Sequence, residues 1–277
     1  MIVLPESSFS VSAAVQMLPP LEREIYEQKH GSPNAFHYPS LAALLFELKL
    51  RSAIVEAAVQ LQKSDAEFES FKDSRCSEAY WIRTEGGGFR QKPGVRTSEA
   101  IRDIYINGKA YAFECATAVI IVLYKAVLET IGEEAFDRLF RYLFLMSWNH
   151  DSLLHLITVY GKGEVYPGDV QYVKNPDVDP KAIEWQGENI VKLRGDRYFG
   201  HGVGIGDVDM FIRKLNRHRL PGSTVSAYLL DEATYPNFLA LFEAAGTGQL
   251  PSYLPQLPMR SHGLIVSRIG TRTAIYS

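Results

Sequence analysis

The chain has 277 residues, with 29 Lys and Arg against 32 Asp and Glu for a formal net charge of −3. Charge so near balance gives no field to gather nucleic acid, and 46% hydrophobic with 12% aromatic content belongs to a folded core rather than a disordered chain. Two cysteines, Cys76 and Cys115, exclude a disulfide scaffold, and no Cys-x-x-Cys or His-x-x-x-His pair offers a zinc site.

The sequence does not open on a basic start with a long apolar run, so no signal peptide is expected. Its most apolar stretch, residues 116–124, is too short to cross a bilayer. A soluble, intracellular protein is expected. Residues 1–39 read as irregular, broken by Pro5, Pro19, Pro20, Pro33 and Pro39. Ser40 then caps an amphipathic helix to about Lys63, with Leu41, Leu44, Leu45, Leu48, Val55, Ala58 and Val59 near helical spacing. Gly86-Gly87-Gly88 predicts a turn between two short strands, the first containing Tyr80-Trp81-Ile82. A brief helix from Ser98 stops at Asn107-Gly108.

From Tyr111 the chain becomes apolar all round and stays so to Ile131-Gly132, which predicts a helix buried on every side. A second helix is expected over residues 133–146. Short strands bounded by Gly, Pro, Asn and Asp follow from Val165. A helix from residue 207 or 208 to 219, a strand near 225–230 and a helix near 235–245 come next. Residues 246–277 read as a Pro-rich tail with an edge strand near 263–266. Helices first and strands later predict one α+β domain over residues 1–277, its central helix packed on a mostly antiparallel sheet.

Cys115 is the sharpest chemical signal. It falls where the polar-aromatic lead-in turns into the buried helix, so unpaired N–H groups and the helix dipole there favour a thiolate. The plainer alternative is a small buried hydrophobe. Cys76, among Asp73, Ser74, Arg75, Ser77 and Glu78, reads as a surface thiol. Of seven histidines, His201 stands out, because the glycines of Gly200-His201-Gly202-Val203-Gly204 leave room for a substrate backbone.

Glu188 is its companion. Residues 188–193 and 197–205 read as a hairpin turning at Arg194-Gly195-Asp196. A Gly195-Asp196 turn pairs Ile190 with His201 and makes Glu188 and His201 diagonal neighbours; an Arg194-Gly195 turn sets them directly opposite. An odd-length loop would break that shared face. Asp207 at the sixth position spoils a Gly-x-Gly-x-x-Gly fingerprint starting at Gly202, and Pro176 and Pro180 interrupt the calcium-like alternation of Asn175, Asp177 and Asp179. No cofactor and no metal are expected.

The run Phe113-Glu114-Cys115-Ala116-Thr117-Ala118, with Ala100-Ile101-Arg102-Asp103-Ile104 before it, resembles the bacillus-type protein-glutamine γ-glutamyltransferases of the spore coat. So do Phe46-Glu47-Leu48-Lys49-Leu50-Arg51, Lys174-Asn175-Pro176, Trp185-Gln186-Gly187-Glu188-Asn189 and Ser226-Ala227-Tyr228-Leu229-Leu230. The resemblance implies a papain-like core and calcium-independent transfer, through a cysteine thioester, that joins glutamine and lysine side chains of spore coat proteins. It makes Cys115 the nucleophile, Glu188 its acid-base partner, Glu114 a substitute partner and His201 a further site residue. Phe113, Trp148, Trp185, Tyr198 and Phe199 are available as substrate-binding aromatic walls that exclude water. The enzyme is expected as a monomer in the cytoplasm of the sporulating cell and in the spore coat, away from nucleic acid and membrane. Cell-wall cysteine peptidases, with Cys115 paired to His201, form the rival class; an inert coat scaffold is the bland one. Because a neighbouring anion raises a thiol pKa, a neutral thiol facing a carboxylate is expected over a preformed thiolate–imidazolium pair.

Overall fold

The computed structural model describes residues 1–5, 8–161, 163–247, 265–269 and 272–276. Strand β1 (Ile2–Val3) lies parallel to β2 (Phe36–His37), and between them run helices α1 (Ser8–Gln16) and α2 (Pro20–Gly31). The expectation of irregular chain over 1–39 is therefore corrected. Pro20 sits in the first turn of α2, where a helix has no N–H bond to lose, so the proline starts the helix instead of breaking it.

Ser40 caps α3 (Leu41–Lys63) as expected, its Oγ accepting from Ala43 N at 3.2 Å. A buried chain of charges fastens α2 to α3: Lys29 Nζ meets Glu47 Oε1 at 2.6 Å, Glu47 meets Arg51 at 2.8 Å, and Arg51 meets Asp169 at 2.6 Å. Strand β3 (Glu67–Phe68) follows, then β4 (Trp81–Arg83) and β5 (Phe89–Gln91) around the glycine turn. Helix α4 (Thr97–Ile106) ends at Asn107, and β6 (Ala112–Phe113) pairs in parallel with β3.

Helix α5 (Cys115–Ile131) is the centre of the molecule, and every residue from Cys115 to Leu128 is buried. Its apolar circumference requires cover on all sides, which α3, α4, α6 and the main sheet provide. Helix α6 (Glu133–Leu139) is shorter than the expected 133–146. Tyr142 takes a left-handed φ of 59°, and the Gln91 side chain accepts from Leu143 N at 3.0 Å. The segment is thus drawn into β7 (Phe144–Leu145), which pairs with β5.

The main sheet comprises β8 (Leu156–Tyr160), β9 (Val170–Lys174), β10 (Gly187–Lys192), β11 (Tyr198–Gly200), β12 (Gly204–Gly206), β13 (Tyr228–Leu229) and β14 (Glu232–Pro236). Its path is β12-β11-β10-β9-β14-β8, with β13 also on β9, and each pairing is antiparallel. Strands β8 and β14 were not anticipated. Helix α7 (Val208–Asn216), capped by Asp207, and α8 (Phe238–Thr247) complete the helices. Val170, Val191, Leu193 and Phe199 face the α3–α5 core, while Val173, Ile190 and Tyr198 face Phe211 and Leu215 of α7. The expected edge strand near 263–266 overlaps β15 (Ile265–Ile269), which pairs with β16 (Arg272–Tyr276); residues 248–264, 270–271 and 277 of the Pro-rich tail lie outside the described residues. An α+β architecture with a papain-like buried helix on an antiparallel sheet results, as the sequence predicts.

Candidate active site

Cys115 is the first residue of α5, and its side chain is nearly closed off, with 9% of the residue exposed. Glu114 is the N-cap. Its carboxylate accepts from Ala116 N at 2.6 Å, Thr117 N at 2.7 Å and Thr117 Oγ1 at 2.6 Å. Thr117 Oγ1 in turn accepts from Ser147 N at 2.8 Å, tying the helix start to the turn after β7. These contacts change the electrostatics expected from sequence. Two N–H groups that would favour a thiolate are spent on the Glu114 carboxylate.

The Sγ atom instead receives a hydrogen bond from Asn189 Nδ2 at 3.3 Å. Burial pushes the thiol well above its ordinary range, and the carboxylates of Glu188 and Glu114 add to this; the backbone N–H and side-chain amide of Asn189 pull the other way. The thiol is neutral at rest.

Glu188 is almost wholly buried, at 1% exposure, and burial followed by the Glu114 charge raises its carboxyl well above the usual range. Among the described residues its Oε1 has no hydrogen-bond partner. A buried carboxyl raised in this way is a stronger base than an exposed one, as a group that takes and returns a proton needs to be. Its place depends on Gly200. A Cβ there would lie 2.5 Å from Phe211 Cε1 and 2.9 Å from Glu188 Oε1, so both buried side chains would have to shift. Gly200→Ala is expected to cost about 1–3 kcal/mol by overpacking and to reduce turnover by displacing the carboxyl. Thermal unfolding and initial rates on the same preparation check it.

The hairpin register corrects the sequence argument. Ile190 pairs with Gly200, Val191 with Phe199 and Lys192 with Tyr198. Leu193 N bonds Arg197 O, so Arg194-Gly195-Asp196 is a three-residue loop, with Gly195 at φ +55°. Both two-residue turns considered above are one residue out, and Glu188 and His201 do not share a face. His201 leaves the strand in the turn after Gly200. Its Nε2 is 3.0 Å from Glu67 O, and its ring stacks on Phe113 at 4.7 Å between centroids. Burial lowers its pKa to about 4, despite the opposing carbonyls of Glu67 and Phe113. The imidazole is neutral near pH 7, engaged with backbone, and does not form an ion pair with the thiol.

The expected aromatic walls separate into two groups. Phe113 lies beneath the His201 ring, Phe199 is packed in the main core, and Tyr198 faces α7 with Lys192 Nζ 3.2 Å from its hydroxyl. Trp148 is half-buried against the core. Trp185 is half-buried between Phe68, at 5.3 Å, and the His218 ring stacked on it at 4.4 Å. Phe68 was missed, because only the parallel β3–β6 pairing, Phe68 opposite Phe113, brings it near. Tyr172, opposite Asn189 on β9, was also missed; burial, then the charges of Cys115 and Glu188, raise its hydroxyl pKa. Strand alternation around Glu188 was the signal available for Asn189. Cys76 is half-buried against the core instead of being a surface thiol, and burial pushes it up to about 11. The calcium-like residues have local partners: Asn175 bonds Trp185 O and Leu215 O, Asp177 receives Ser223 Oγ, and Asp179 caps Lys181.

A buried cysteine at a helix start, beside two carboxylates and an amide donor, is suited to acyl transfer. The family model described as "TGL: Protein-glutamine gamma-glutamyltransferase" matches residues 1–245. A protein-glutamine gamma-glutamyltransferase of Bacillus cereus (strain B4264) is 39% identical over 255 residues, 92% of each chain, and that of Bacillus mycoides (strain KBAB4) is 38% identical over the same span. The solved transglutaminase from Geobacillus stearothermophilus (without C-terminal extension) is 50% identical with a TM-score of 0.71, covering 74% of this chain and 98% of that one. On this agreement of site, sequence and fold, the chain belongs to the protein-glutamine gamma-glutamyltransferase family and is an acyltransferase.

Proposed function

We propose that Cys115 forms a γ-glutamyl thioester, without calcium, and passes the acyl group to lysine side chains, crosslinking spore coat proteins as a single-domain monomer in the sporulating cell. The observation carrying this reading is the neutral buried thiol set among Glu188, Glu114 and Asn189, with His201 neutral and bonded elsewhere. The thiol attacks the glutamine carboxamide as Glu188 takes its proton, and Glu188 returns that proton to the departing ammonia. The lysine amine then attacks the thioester, losing its proton to Glu188. Glu114 keeps the helix start in place and is the nearest substitute acceptor. Phe68, Trp185, His201 and Trp148 are the aromatic groups from which a water-excluding approach to the sulfur can be built, which favours the amine over hydrolysis.

The test is mass spectrometry after incubation with a glutamine-bearing peptide, a primary amine and a calcium chelator. An isopeptide product with loss of one ammonia is expected, at a rate unchanged by the chelator. Cleaved peptide would indicate the hydrolase of the rival class. No product would leave an inert scaffold, and loss with the chelator would remove calcium independence.

A further inference from the structure

The balance of groups on the Cys115 sulfur is uneven. Burial, Glu188 and Glu114 all oppose its ionisation. The N–H groups of Ala116 and Thr117 are turned to the Glu114 carboxylate. Asn189 alone among the named influences favours the ionised sulfur, through Nδ2 at 3.3 Å and through its backbone N–H.

Strand geometry explains how one residue does this. On β10, Glu188 stands opposite Val173 and Asn189 opposite Tyr172, and consecutive side chains point to opposite faces. Glu188 shares its parity with Ile190, on the α7 side; Asn189 shares its parity with Val191, on the α5 side. The acid and the donor are therefore neighbours in sequence that act on the thiol from different faces. Asn189 is 8% exposed, so its amide N–H is committed to the interior. A thiol is a weak acceptor, whereas a thiolate or oxyanion is a strong one. A buried donor aimed at a weak acceptor gains most when negative charge develops there.

We propose that Asn189 is a catalytic residue of the transferase, donating to the sulfur as it ionises and then to the oxyanion of the tetrahedral intermediate. The proposal rests on the thioester route above. As Sγ bonds to the carboxamide carbon, the thiol proton moves to Glu188 and the carbonyl π pair moves to oxygen. Collapse restores the carbonyl, breaks the C–N bond and releases ammonia, which takes the Glu188 proton. In the second half the amine bonds to the same carbon and gives a proton to Glu188; the C–S bond breaks and the departing thiolate takes the proton back. Charge passes over sulfur and oxygen in both halves, within reach of the Asn189 donors. Such an interaction, stronger in the transition state than at rest, governs kcat and not KM.

The test follows the alkylation of Cys115 by iodoacetamide against pH in a Cys76→Ser background. Asn189→Ala should shift the midpoint upward by at least one pH unit, which is about tenfold slower alkylation below the midpoint. Asn189→Asp, which adds an anion, should shift it further. Turnover should fall about 10²–10³-fold, with KM for the glutamine donor nearly unchanged. Asn189→Ser keeps a donor on a smaller side chain and should fall between wild type and alanine. In the unaltered protein, the Asn189 side-chain amide resonance should titrate with the alkylation midpoint, a readout that needs no variant to fold. An unchanged midpoint and kcat in folded variants, or an amide resonance indifferent to thiol ionisation, would overturn the proposal. Because alkylation does not require transfer, a shifted midpoint without crosslinking would sink the thioester route but spare the Asn189–sulfur interaction.

Discussion

Replacing Cys115 by alanine should abolish isopeptide formation while leaving the fold intact. In the proposed route the sulfur forms the acyl intermediate, and removal of a nucleophile from a coupled catalytic unit can cost about 10⁶ in turnover. The cost to stability is expected to be small, within about 1 kcal/mol, because the side chain loses one atom and alanine is a good helix former. The helix start does not depend on the thiol, since Glu114 caps Ala116 and Thr117 through its own carboxylate. Circular dichroism and thermal unfolding should match wild type, while mass spectrometry detects no crosslink. Crosslinking that persists in the alanine variant would transfer the chemistry elsewhere, and Cys76, half-buried and raised to about 11, is poorly placed to receive it.

Glu188→Gln should give the second large effect, with activity and stability moving in opposite directions. Loss of the proposed proton acceptor should lower turnover about 10²–10⁴-fold. Stability should rise instead. Glu188 has a folded-state pKa well above the ordinary glutamate value of 4.5, chiefly through burial and then through Glu114. A carboxyl raised in this way supports the fold fully below pH 4.5, and its contribution is lost as pH climbs through the folded value. Glutamine does not titrate, so the variant's advantage in Tm should open above pH 4.5 and widen toward alkaline pH. Wild-type turnover should rise over the same direction of pH, because the Cys115–Glu188 pair must shed one of its two protons before Glu188 can take the one on sulfur. A Tm difference that stays constant from pH 4 to 9 would contradict the buried, raised carboxyl. A flat rate profile from pH 6 to 9, with chemistry limiting, would contradict the neutral resting thiol.

Local signals were legible in the sequence, and their outcomes follow from that. Ser40 and the periodic leucines located α3, and the uniformly apolar run after Cys115 located α5 with the cysteine in its first turn. Both depend on neighbours within a few residues. The errors arose where distant chain decided the result. Residues 140–145 leave the helix because Gln91 and β5 bind them. Strand β14 exists because β8 pairs with it across some 75 positions, Thr158 opposite Thr234. At the site, Cys115 and Glu188 could be chosen from residue type and resemblance, whereas the place of His201 turned on a one-residue difference in loop length. That difference exchanges faces. It moved His201 away from Glu188, while alternation along β10 sets Asn189, next in sequence to Glu188, against the thiol.

The buried chain from Lys29 through Glu47 and Arg51 to Asp169 has a consequence for how this enzyme could be switched on. The four groups alternate in sign and sum to zero, so they can be kept out of water only as a complete set. Lys29 belongs to α2, and Asp169 immediately precedes the strand that lies beside β10. Shedding the amino-terminal helices, as a zymogen sheds its propeptide, would strand an odd negative charge in the interior and loosen the anchor of the sheet. Any route to activity by shedding this segment would have to offset that stranded charge, so loss of the first two helices is expected to lower the stability of the fold.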